Sequence, residues 1–102
     1  MLAQKILEQN KIVIARVDEA QKRARWITQE LTAAQVKHNV AAWGLEITID
    51  LTGDDETIIV TDTDVFFLGE RYPVKEKSHL DIFFDEVARF VVENLNKQGG
   101  RG

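Results

Sequence analysis

With 102 residues, 44% apolar and 29% charged, the chain has the composition of one ordinary folded domain, which argues against a disordered or fibrous protein. It has no cysteine, which excludes a disulfide framework and a thiolate metal site. The net charge of -4 divides unevenly: residues 1–42 carry seven Lys/Arg against four Asp/Glu, a balance of +3, and residues 43–102 carry six against thirteen, a balance of -7. A basic first segment and an acidic remainder suit two parts of the protein that attract one another, with a nucleic-acid surface as the less favoured reading.

The opening Met1-Leu2-Ala3-Gln4-Lys5 lacks the sustained apolar run of a signal peptide, and no uncharged apolar stretch approaches the roughly 18 residues of a membrane span. The expectation is a cytoplasmic protein with no membrane partner.

Residues 2 to about 40 read as one long helix. The stretch has no Gly or Pro and is rich in Ala, Gln, Leu, Lys, Arg and Glu. Ala3, Ile6, Asn10, Val13, Val17, Ala20, Ala24, Ile27, Leu31, Ala34 and His38 recur at alternating spacings of three and four, a heptad-like stripe. Unbroken, such a helix is nearly 60 Å long at about 1.5 Å per residue, too long for a compact domain of this size. It must protrude, pair with a copy of itself or break. The alternative is a break at the β-branched Ile12-Val13-Ile14, with Asp18 capping a new helix.

Trp43, Leu45, Ile47, Ile49 and Leu51 alternate with polar residues and glycine, the signature of a strand wet on one face. Thr52-Gly53-Asp54-Asp55 reads as a turn, Glu56–Thr61 as the return strand, Thr61-Asp62-Thr63-Asp64 as a second turn and Val65–Leu68 as a third strand. Gly69–Lys77 reads as a loop, with a short edge strand near Tyr72–Val74 as an option. A final helix is expected from Ser78, as N-cap, to Asn96. Its apolar face is Leu80, Phe83, Phe84, Val87, Phe90, Val91 and Leu95, and its supporting ion pairs are Asp85 with Arg89 and Glu93 with Lys97. The expected fold is thus α+β: a long N-terminal helix, a three-stranded or four-stranded antiparallel meander, and a C-terminal helix. Residues 1–98 would form a single domain and residues 99–102 a flexible tail.

The search for chemistry is mostly negative. The sequence contains no P-loop, no G-x-G-x-x-G, no G-x-S-x-G elbow and no H-E-x-x-H. The acidic residues Asp54, Asp55, Glu56, Asp62 and Asp64 fall where turns are expected, without the ordered ligand spacing of a calcium loop. His38 and His79 fall at helix ends. These residues give no catalytic or metal site, no cofactor and no enzyme as the expectation. Two surfaces remain. One is a protein interface along the stripe, carried by Ile6, Val13, Val17, Ile27 and Leu31 with Trp26 as an aromatic anchor. The other is a basic helix face of Arg16, Lys22, Arg23 and Arg25 that could neutralise phosphates.

The order of a long helix, a hairpin or meander and a C-terminal helix, with Gly44-Leu45-Glu46-Ile47-Thr48-Ile49-Asp50 followed by Ile59-Val60-Thr61-Asp62 at the hairpin, resembles the YbaB-type nucleoid-associated proteins. The resemblance is architectural, without a diagnostic motif, and implies a dimer that binds DNA. Small acidic secretion chaperones share a similar build. The reading preferred from the sequence is a small non-enzymatic interaction module: a homodimer acting as adaptor, chaperone or regulator, whose partners are itself and another protein. A YbaB-like DNA-binding dimer is the alternative.

Overall fold

The computed structural model describes residues 2–52 and 56–99, with side chains described over 11–41, 43–52 and 56–94. Helix α1 spans Leu2–Ala33 without interruption, so the alternative break at residues 12–18 does not occur. A single helical phase through Ile12-Val13-Ile14 outweighs the modest helix reluctance of β-branched residues.

The helix ends sooner than residue 40, and the reason is local. Gln35 takes a left-handed conformation (φ 59°). The Gln35 N–H donates to the Thr32 carbonyl at 3.0 Å, and the Val36 N–H donates to the Leu31 carbonyl at 2.9 Å. This is a Schellman stop, made here without the usual glycine.

Beyond it the chain forms a strand that the sequence reading placed in the helix. Among the described residues five strands, not three or four, make one antiparallel meander: β1 His38–Ala42, β2 Ile47–Leu51, β3 Glu56–Val60, β4 Asp64–Phe67 and β5 Glu70–Pro73, in the order β1-β2-β3-β4-β5. The long expected strand from Trp43 is only half strand. Trp43–Glu46 is the link that lets β1 turn back onto β2, with Val40 opposite Ile49 and a bulge between Val40 and Ala42. Thr61–Asp64 turns as expected, the Asp64 N–H donating to the Thr61 hydroxyl at 2.9 Å. The optional edge strand is real and begins earlier. Leu68 (φ 52°) and Gly69 (φ 79°) form a two-residue hairpin loop between Phe67 and its partner Glu70. Of the turn at 52–55, Gly53–Asp55 lie outside the described residues, as do residues 100–102 of the expected tail.

Registers align Ile49 with Ile58, Ile47 with Val60 and Val60 with Val65. These side chains, with Leu51 and Phe67, are buried on one face of the sheet. Both helices cover that face. From α1 come Ala20, Ala24, Ile27 and Leu31, and the small alanines let the helix approach closely. Helix α2, Leu80–Gly99, contributes Leu80, Phe83 and Val87. Phe67 sits edge-on between Phe83 and Phe90, with ring centres 5.7 and 5.6 Å away. Each such contact adds roughly 0.5–1.5 kcal/mol beyond area burial.

Ser78 is not the N-cap of α2. A 3-10 turn at Lys77–His79 precedes the helix, and His79 Nδ1 accepts the N–H groups of Lys75 (3.1 Å) and Glu76 (3.3 Å). Arg89 pairs with Glu86 at 3.3 Å instead of with Asp85. The Lys97 side chain of the other expected pair lies outside the described ones.

The molecule measures 68 × 24 × 24 Å, and its radius of gyration of 16.3 Å exceeds the about 13 Å of a compact domain of 100 residues. The long axis reflects α1, about 48 Å long at 1.5 Å per residue.

Candidate functional site

The apolar stripe of α1 leads two different lives. From Ala20 to Leu31 its members are buried in the protein's own core. Before Arg16 the helix has left the sheet: Ile12 is 60% exposed, Val13 44% and Ile14 59%. Three consecutive apolar residues of this helix thus face water. Residues 2–15 are therefore an arm. Its base is tied to the body by Arg16, whose Nε donates to Asp62 Oδ2 in the β3–β4 turn at 3.2 Å.

A second apolar feature lies where the other end of α1 meets α2. Leu31, Ala34 and Val36 on one side and Phe84, Val91 and Val92 on the other line a groove of about 430 Å³. Glu30 and Asp85 are the charged residues of its lining, and both are acidic. The Schellman stop builds one wall, since it places Val36 beside Leu31. Nothing in the one-dimensional pattern announces this groove, because its two walls come from parts of the chain far apart in sequence, Leu31–Val36 and Phe84–Val92.

The six expected interface residues divide between these regions. Ile27 and Leu31 are buried in the core, Val17 is half-buried at the arm's base and Val13 is exposed on the arm. The Ile6 side chain lies outside those described. Trp26 is half-buried against the core, with Lys22 Nζ 5.2 Å from its ring centre.

The four basic residues also separate. Arg23 is buried: its Nε donates to the Val74 carbonyl at 2.6 Å, and Nη1 donates to the Glu19 carbonyl and carboxylate, each at 3.0 Å. It ties α1 to the segment after β5. Arg16 is held by Asp62, Lys22 lies 3.7 Å from Glu19, and Arg25 is exposed. No common face of four free cations results.

Asp62 and Asp64 are engaged as well, Asp62 by Arg16 and Asp64 by the Thr63 hydroxyl, which donates to it at 2.7 Å. Asp54 and Asp55 lie outside the described residues. Among the described residues no three His, Asp or Glu side chains are grouped as metal ligands. His38 opens β1 instead of ending a helix, and its Nδ1 donates to the Val36 carbonyl at 2.9 Å. Tyr72 is the displaced titration among the described residues. Burial, then the Glu86 and Glu70 carboxylates, push its phenol above the ordinary value against a smaller opposing pull from Arg89.

No helix among the described residues is long and apolar enough to cross a membrane. Comparison with protein-family models, with curated proteins and with solved structures finds no match. The site must be read from its own geometry.

Proposed function

We propose that this chain is a non-enzymatic protein-interaction module that works as a homodimer, in the manner of an adaptor, chaperone or regulator, with another protein as its further partner. The supporting observation is the change along one unbroken helix: the apolar series is buried from Ala20 to Leu31 and exposed at Val13, where the neighbouring Ile12 and Ile14 are exposed as well. Covering such a helical strip with an apolar partner gains about 25 cal/mol per Å² removed from water. Sedimentation velocity across a dilution series tests this reading. A species of twice the 11.6 kDa chain mass, dissociating only on dilution, is expected. A monomer at every concentration overturns it.

The DNA-binding alternative draws on Arg16, Lys22, Arg23 and Arg25, and three of these are paired with carboxylates within the protein, Arg16 with Asp62 and both Lys22 and Arg23 with Glu19. If DNA binds with those pairs intact, Arg25 supplies a logarithmic salt slope of about -1 per chain, against about -4 for four phosphate contacts. A gel-shift series in salt distinguishes the two. A slope near the larger value, lost on Arg23→Glu without loss of folding, would favour the DNA-binding reading.

A further inference from the structure

We propose that the groove between α1 and α2 is the receptor for the arm of a second copy of this chain, so that two copies exchange arms reciprocally. The inference rests on the homodimer reading above and adds where each arm goes.

Lys11 and Glu30 are nineteen residues apart on one continuous helix, about 28 Å at 1.5 Å per residue. A rigid helix does not fold back, so a chain's own arm never meets its own groove. Another molecule must bring the arm.

The groove is apolar with an acidic lining, Glu30 and Asp85. The arm offers Ile12, Val13 and Ile14 and carries Lys5 and Lys11 against the single acid Glu8. A basic apolar helix meeting an acidic apolar groove matches in both respects.

If two α1 helices run antiparallel and cross near Ala20–Gln21, residues 6–13 of one copy lie level with residues 28–35 of the other. That is the stretch containing Glu30, Leu31 and Ala34 of the groove, and it sets Lys11 level with Glu30 of the second copy. A twofold exchange of this kind closes on itself and leaves neither arm nor groove uncovered.

Area favours exchange over simple arm-to-arm pairing. An arm face about 21 Å long and about 11 Å wide is roughly 230 Å². Arm against arm covers two such faces, whereas exchange covers two arms and two grooves, about 900 Å² in projection and near the roughly 1,000 Å² of a specific interface.

The absence of cysteine makes a direct test available. Two single variants, Val13→Cys on the arm and Ala88→Cys on the groove's exposed α2 rim, are treated with a short bismaleimide separately and as an equilibrated mixture. A crosslinked dimer in the mixture and in neither variant alone is the expected result. Crosslinking in the Val13→Cys chain alone places arm against arm and overturns the proposal. So does a species of dimer mass that crosslinks in none of the three samples, although the homodimer reading survives it. A monomer in light scattering removes both. As an independent check, Ala88→Trp fills the groove from an exposed helical position and should weaken self-association at least tenfold without altering the circular dichroism. An unchanged dimer with the tryptophan in place would contradict arm seating.

Discussion

The two halves of α1 share a helical phase and an apolar stripe, yet only one half has a partner. From Ala20 to Leu31 the stripe faces β2, β3 and the Phe67–Phe83 cluster, and its members are almost fully buried. From residue 2 to residue 15 the helix runs past the end of the sheet, and its described apolar side chains meet water. Periodicity therefore reports that a helix face will be covered, and sheet width decides how much of it this chain covers itself. The remainder, at Val13, stays exposed.

Substitutions in the two halves sharpen this contrast when stability is measured at protein concentrations low enough to keep the chain monomeric, because dimerisation itself adds to apparent stability. Leu31→Ala should lower the unfolding free energy by about 2–5 kcal/mol, the range for deleting a buried leucine. In the same denaturant titration Val13→Ala should stay within about 0.5 kcal/mol, as expected of a surface position. Equal losses would erase the distinction between the halves.

Arg23 ranks next. Arg23→Met leaves the buried Val74 carbonyl without its donor and should lose about 1–3 kcal/mol. Arg23→Lys should not restore it, because an ammonium lacks the fork that reaches Val74 and Glu19 together. Relief is expected at Gln35. Its left-handed backbone carries a penalty of about 1–2 kcal/mol for a residue with a side chain, so Gln35→Gly should gain around 1 kcal/mol in thermal unfolding. The smallest effect belongs to the exposed pair at the arm's base. Arg16→Ala should change stability by less than about 1 kcal/mol, and less still in high salt.

What the sequence made legible follows from how local each signal is. The unbroken course of α1 was readable because three-and-four spacing stays in phase through residues 12–18. The inner face of α2 and the alternation from Ile47 to Leu51 were readable for the same reason. Strand β1 was hidden because no Gly or Pro separates it from the helix: the stop is Gln35 in a conformation that glycine usually marks. The first half of the expected Trp43–Leu51 strand became a link, since β1 needed a turn to pair with β2. The fate of Arg23 was equally invisible. Nothing near it in sequence indicates that a carbonyl 51 residues away will accept its Nε–H. The groove depends on the same kind of distant meeting, Leu31 and Val36 against Phe84 and Val91.

The most direct test is light scattering of the intact chain beside Val13→Asp, which places a charge on the arm and touches nothing in the core. Twice the chain mass is expected for the first, the chain mass for the second, and matching thermal unfolding for the two once both are dilute enough to be monomeric. A dimer that tolerates Val13→Asp, or an intact chain that is monomeric at every concentration, would contradict this expectation.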